Sequence, residues 1–299
     1  TFNCLSLAIE ENIESAKLIL EQENLPEEVL TTRFGNSRYP PNVLTLAMET
    51  EKEEMIDMIL DHPSLTAEGF ASFRPELLKA IWTRPEYKDD IRGTYARKIL
   101  KSTKFTHKIL TNHEEYTPPL VVAIEEKRQD IIDIIMSLDE LTAEVFTATI
   151  KDEMSALMLA IHMGNNATAT KILELEDFRN EILKTTSSVF GSALTVAVEA
   201  KNTDMIEKIL SYQNLPSELF TATGEISATN EKMNALELAM RNSTQEVVDR
   251  IRNHPNCAND VNSTTDVGLF QEQDSQELST PSVGARYRYS INPIKDLGI

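Results

Sequence analysis

A short apolar phrase containing alanine recurs seven times along the chain, and it constrains the fold more than any other feature. In the fifth copy it reads Leu157-x-Leu159-Ala160-Ile161. The seven alanines are Ala8, Ala47, Ala80, Ala123, Ala160, Ala197 and Ala239, which lie 39, 33, 43, 37, 37 and 42 residues apart. Self-similarity at such a spacing is the signature of a repeat array, in which each copy is one supersecondary unit.

Two further signatures follow the anchor phrase within a unit. The second copy continues with a stripe that lies on one face of an α-helix: Met55, Ile56, Ile59 and Leu60. A short phrase such as 141–146 then closes the unit, and in five copies it opens 18 residues after the anchor alanine. The sequence therefore predicts an all-α array of about seven helix-turn-helix repeats over residues 1–262, connected by hairpin or loop fingers.

Three segments depart from the regular pattern. The third copy carries about seven extra residues, 84–90, which are either a tolerated surface insertion, since a longer loop costs little, or a protruding binding element. Thr followed by Gly or Asn predicts a hairpin-like finger over 221–234. Residues 263–299 are rich in Ser, Thr, Gln and acidic side chains, which predicts a flexible polar tail.

The units resemble the ankyrin repeat, whose pattern runs Thr-Pro-Leu-His-x-Ala, a turn glycine, and then Ile-Val-x-x-Leu-Leu. The fifth copy matches at Leu157, Ala160, Gly164 and the Ile172-Leu173 pair. No copy has the full Thr-Pro-Leu-His tetrad, and most lack the turn glycine. The resemblance covers residues 3–262 and implies an ankyrin-like α-solenoid whose inner helices line a concave groove, the usual partner surface of that family.

Charge and cysteine content exclude several classes of function. The formal net charge of −19 disfavours nucleic acid and anionic membrane surfaces, because both bind through Lys and Arg. No apolar run approaches the roughly 18 residues of a membrane span, so we expect no membrane insertion. The two cysteines, Cys4 and Cys257, form neither a disulfide framework nor a metal motif. We therefore expect a cytoplasmic protein without cofactor or metal.

No catalytic motif stands out, so the sequence predicts that the chain is not an enzyme. It contains no phosphate-binding loop, no His-Glu-x-x-His and no Cys-x-x-Cys. His62 and His254 each precede a proline at the end of a second helix, where a histidine suits the helix C-terminus. A hydrolase that uses Cys257 or a histidine is the alternative from a different functional class.

The inner helices supply the predicted binding surface. The residue two positions after the anchor leucine points away from the helix's core side and forms an apolar ridge, with Lys79 as the exception: Leu7, Leu46, Val122, Leu159, Val196 and Leu238. The residues five positions after the anchor leucine share that face: Glu10, Glu49, Trp82, Glu125, His162, Glu199 and Arg241. This ridge would suit a protein partner that presents apolar anchors with Lys or Arg. Alternatively, neighbouring inner helices and the fingers cover the ridge.

We therefore expect a protein-interaction module that holds a protein partner in its groove or on its fingers. The first copy has no preceding finger, which suggests that upstream sequence has been removed. The chain is alternatively the targeting portion of a larger enzyme. The chain resembles ankyrin effectors of type IV secretion, such as those of Legionella, in its divergent repeats, in the stretch 271–277 and in Leu297 near the end. This resemblance implies action in a host cytosol. The alternative for the last residues is an ordinary disordered tail.

Overall fold

The computed structural model describes residues 4–35, 40–82, 91–111, 117–139, 141–149, 154–225 and 231–257. Within these ranges the chain forms twenty short helices and a single two-stranded sheet, so the predicted all-α class is confirmed. The predicted insertion at 84–90 and the predicted tail at 263–299, including 271–277 and Leu297, lie outside the described residues. No helix in the described ranges is long and apolar enough to cross a membrane.

The helices fall into three rows, which we call A, B and C. The A row contains the seven anchor phrases: α1 (Cys4–Glu11), α4 (Val43–Glu49), α7 (Arg74–Ile81), α10 (Pro119–Glu125), α13 (Ala156–His162), α16 (Ala193–Glu199) and α19 (Ala235–Asn242). The B row contains the second stripes: α2 (Ile13–Leu20), α5 (Glu53–Leu60), α8 (Ile91–Lys101), α11 (Gln129–Met136), α14 (Asn166–Leu173), α17 (Thr203–Leu210) and α20 (Gln245–Arg252).

The C row contains the short closing phrases: α3 (Glu27–Thr31), α6 (Ala67–Ala71), α9 (Lys108–Thr111), α12 (Ala143–Thr147), α15 (Arg179–Lys184) and α18 (Glu218–Thr221). Each A helix packs against its own B helix, and in most neighbouring units the helices of one row also stack on the same row of the next unit. A unit this small cannot bury its apolar face alone, so the array is stabilised by contacts between neighbours.

Local sequence explains where the A helices begin and end. Asn42 caps α4 by accepting a hydrogen bond from the Thr45 amide at 2.9 Å, while the Thr45 hydroxyl accepts one from the Asn42 amide at 3.3 Å. Such reciprocal caps satisfy the first free N–H groups of a helix. The turn into the B helix uses a left-handed residue in several units, for example Gly164 (φ 70°) and Lys201 (φ 53°).

The predicted finger at 221–234 contains an antiparallel pair of strands, β1 (Gly224–Glu225) and β2 (Lys232–Met233). Gly224 also bridges to Phe190 in the preceding connection, so two successive fingers touch. A Cβ atom at Gly224 would lie 2.6 Å from the Phe190 carbonyl carbon, which explains why a glycine occupies this position. The described residues of the predicted finger therefore contain the antiparallel strand pair that a hairpin requires.

Candidate functional site

The C-terminal ends of the A helices form the predicted surface that stays accessible, and we call it the helix-end row. It contains the residue five positions after each anchor leucine: Glu10, Glu49, Trp82, Glu125, His162, Glu199 and Arg241. Stacked helices lie about 8–10 Å apart, so seven units extend the row over roughly 50–60 Å. Equivalent positions on stacked helices place these side chains along one edge of the array.

The row is acidic and only partly exposed. Glu49 and Arg241 are exposed, whereas Trp82, Glu125 and Glu199 are half-buried. Four of the seven positions are glutamates, and each lies in the last turn of its A helix, where the helix end carries partial negative charge. Among the contacts that restrain the row, Glu49 Oε1 lies 3.8 Å from Lys79 Nζ, and the Arg241 guanidinium lies 2.6 Å from Glu231 Oε2. The edge therefore presents a mainly negative potential.

His162 adds a polar group that carries little charge at neutral pH. It is half-buried at the end of α13. Burial lowers the pKa of its imidazole below the ordinary range, and the nearby Glu199 carboxylate offsets only part of that effect. The neutral ring is therefore the form that a partner would meet.

The apolar ridge is buried, so the expectation that it is exposed is wrong. The exposed fractions of Leu46, Val122, Leu159 and Val196 are 7%, 5%, 2% and 0%. Leu7 occupies the same position in the first unit, which has no described unit before it, and 45% of its surface is exposed. The comparison indicates that the preceding unit covers this position. The alternative of a covered ridge is therefore the one that the structure supports.

Two features of this edge escaped the sequence prediction. Met163 follows His162 directly and is 39% exposed, which provides an apolar contact beside the row. Lys127 and Lys201 adopt left-handed backbone (φ 55° and 53°) in the turns that follow the row. Gly164, the turn glycine that follows Met163, is the sequence signal that could have placed Met163 at the surface.

The histidines at the ends of B helices have structural contacts. Nδ1 of His62 accepts a hydrogen bond from the Ser64 amide at 3.2 Å, and Nδ1 of His254 accepts one from the Asn256 amide at 3.3 Å. The His254 ring also stacks on Phe220, with the centroids 5.2 Å apart. These contacts tie the ring to the turn after its helix and, for His254, to the preceding unit.

Chemistry at the buried cysteine is disfavoured. Cys257 is 2% exposed, and burial raises the pKa of its thiol. The thiolate is the nucleophilic form, so a raised pKa lowers reactivity. Among the described residues, no group of three His, Cys, Asp or Glu side chains is placed to hold a metal ion. The geometry therefore offers no support for the hydrolase hypothesis at Cys257.

Comparison with known proteins identifies no relative from which a role could be transferred to this row. No family model, no curated protein and no solved structure matches the chain.

Proposed function

We propose that this chain is an ankyrin-like repeat scaffold that binds a basic segment of a protein partner along the helix-end row. The observation that carries the proposal is the repeated placement of glutamate at the ends of stacked A helices, at Glu10, Glu49, Glu125 and Glu199. A line of carboxylates at negative helix ends favours Lys and Arg. The net charge of −19 adds long-range attraction for such a partner.

The burial of the ridge changes the partner that we propose. With Leu46, Val122, Leu159 and Val196 inside the array, apolar contact at this edge comes from Trp82 and Met163. The partner segment therefore needs closely spaced basic residues, with an apolar side chain only near the centre of the row. Such an interface depends on electrostatics more than on apolar area.

The ankyrin assignment rests on the anchor phrases, and the stacking of A and B helices supports it. The C row is the main departure, because a short helix replaces the segment that usually ends an ankyrin repeat. The effector hypothesis and the hypothesis of a targeting portion of a larger enzyme rest on the sequence alone, and both stay predictions. So does the cytoplasmic location.

A lysine-rich peptide tests the row directly. An extended chain spans about 3.3 Å per residue, so a labelled peptide of about 18 residues covers the row. We expect the triple variant Glu49→Gln, Glu125→Gln, Glu199→Gln to bind this peptide about tenfold more weakly in a fluorescence titration, because three attractive charges are lost. The difference should shrink as salt screens the charges.

A matched triple variant controls for total charge. Glu28→Gln, Glu144→Gln and Glu218→Gln remove the same number of charges from exposed positions on the C row. We expect this variant to bind almost as tightly as the wild type. Equal losses of peptide affinity in both triple variants would mean that the peptide responds to net charge. That result would contradict binding at the helix-end row.

A further inference from the structure

The first unit has an apolar outer side, which faces away from the second unit and which we call the end face; its residues are Leu7, Glu14 and Leu18. Leu18, on α2, and Leu7, on α1, are 65% and 45% exposed, more than any other large hydrophobic residue in the described part of the chain. The outermost units of soluble repeat arrays normally have a polar outer side, so an apolar one needs an explanation.

The Leu18 position faces the preceding unit in the later units. It is the residue before the isoleucine of each B-helix stripe, and later units place Met58, Lys98, Ile134, Lys171, Lys208 and Arg250 there. The two apolar members are partly buried and pack against the core. Each of the four cations contacts an acid of the preceding unit; the Arg250 guanidinium, for example, lies 2.8 Å from Glu207 Oε2. Leu18 therefore occupies an interface position, as Leu7 does on the A row.

Glu14 occupies a position that receives a cation across the same kind of junction. The equivalent Glu54 lies 2.8 Å from Lys17 of the preceding unit, and Asp130, in the fourth unit, lies 2.7 Å from Arg97 of the third. Glu14 is 77% exposed, and Lys17 on its own helix is 4.0 Å away and already contacts Glu54. The end face therefore leaves room at Glu14 for a lysine or arginine from outside the array.

The second unit shows which surface is complementary to the end face. Its own side towards the first unit carries Leu46, Glu54 and Met58, which match the end face in residue type and position. The first unit covers that side with a helix pair, because α1 stacks on α4 and α2 on α5, and it supplies Lys17 to Glu54. A helix pair of this type therefore fits the end face in both apolar contact and charge.

A second copy of this chain fits the end face poorly. The last unit has Asp249 at the position of Lys17, so a head-to-tail stack would bring Asp249 to Glu14. Two end faces stacked on each other would place Glu14 against an equally acidic surface, because residues 4–30 contain seven glutamates and one cation. Like charges at an interface suppress association. The charges therefore favour a different protein that supplies the cation.

We propose that the end face docks a helix pair of the same repeat type on a protein partner, with a lysine or arginine of that pair at Glu14. Leu7 and Leu18 supply the apolar contact, as Leu46 and Met58 do at the next junction. This surface differs from the helix-end row, and its role does not depend on the proposed binding of a basic segment there.

A labelled peptide of residues 4–35 tests the docking, because it contains the helix pair that covers the second unit. We expect saturable binding to the full chain, with a Kd below about 100 µM, by fluorescence anisotropy. The full-chain double variant Leu7→Glu, Leu18→Glu should bind the peptide at least about tenfold more weakly. Absence of saturable binding up to about 500 µM, or equal binding by the double variant, would overturn the proposal.

A matched double variant controls for the added charge. Ile13→Glu and Met163→Glu introduce the same two carboxylates at the other exposed large hydrophobic positions of the described chain. Ile13 lies at the position of Glu53, which contacts Lys98 of the following unit, so it is not part of the end face. We expect this variant to bind the peptide as the wild type does. An equal loss in both double variants would contradict docking at the end face.

Charge reversal tests the cation at Glu14. The peptide variant Lys17→Glu should bind the wild-type chain about fivefold more weakly, because an attractive pair becomes repulsive. The chain variant Glu14→Lys should restore binding of that peptide, since rescue requires the two residues to meet. Failure of the rescue would contradict the placement of the partner's cation.

Sedimentation velocity of the full chain tests the competing occupant. We expect a monomer up to about 200 µM, because a second copy brings acids to Glu14. A dimer that the Leu7→Glu, Leu18→Glu variant abolishes would show that the end face binds another copy of this chain, and the proposed partner would be wrong.

Discussion

His62 is a buried histidine whose protonation is coupled to folding. It is 2% exposed, and burial lowers the pKa of its imidazole below the ordinary value of about 6.5; the nearby carbonyls of Gln22 and Leu20 oppose this only in part. The folded protein therefore favours the neutral ring. Ser102 occupies the equivalent place in the third unit, where its hydroxyl donates to the Leu60 carbonyl at 3.2 Å and accepts from the Lys104 amide at 3.1 Å.

The pH dependence of stability follows from the lowered pKa of His62. Below about pH 6.5 the unfolded chain binds a proton that the folded protein resists, so the free energy of unfolding falls as the pH drops towards the folded-state pKa. The contribution is at most about 1.4 kcal/mol per pH unit. His62→Ser keeps a turn acceptor and removes this titration. Urea unfolding from pH 8 to about pH 5 should show a steeper loss for the wild type; parallel curves would contradict the assignment.

The ridge position shows how the A helices are packed. Leu159 and Val196 are 2% and 0% exposed, whereas Leu7 in the first unit is 45% exposed. The same position is therefore an interface between units wherever a unit precedes it. We therefore expect a substitution at the ridge position to lower stability where a unit precedes it, and we do not expect it to act on partner binding.

A carboxylate at the ridge position tests this packing. Leu159→Glu and Val196→Glu each bury a carboxylate between two units, and each should lower the free energy of unfolding by about 3 kcal/mol or more. Leu7→Glu is the matched control and should change it by less than about 1 kcal/mol. Denaturant melts give the comparison. Equal effects in all three variants would mean that the preceding unit does not cover the ridge.

The helices were predictable because the apolar period is a local property, and both the anchor phrases and the stripe from Met55 to Leu60 repeat it. The burial of Leu46 was not predictable, because a helical wheel orients a residue on its own helix and says nothing of the unit that stacks against it.

At the scale of the whole molecule, the junctions between units differ in the polar contacts that connect the two units. Most B helices are linked by surface ion pairs such as Lys171–Asp133, at 2.8 Å, which contribute little. The junction between the second and third units has such pairs too, because Lys98 contacts Glu53 and Asp57, but its A helices α4 and α7 pack loosely and are joined in addition by a buried polar network. Glu76 is fully buried, receives two hydrogen bonds from the Arg33 guanidinium at 3.1 Å each, and accepts one from the Thr45 hydroxyl at 2.7 Å.

Loss of the Glu76 charge should therefore uncouple the first two units from the rest. Glu76→Gln leaves the partly buried Arg33 guanidinium without a counter-charge, and we expect a cost of about 3 kcal/mol. Asp133→Asn breaks a surface pair and should cost less than about 1 kcal/mol. In a stack held by neighbour contacts, a weakened junction lets one side open alone. Native-state hydrogen exchange should then show faster exchange in α4 and α5 than in α13 to α17. Uniform acceleration along the chain would instead show that the array opens as one cooperative unit.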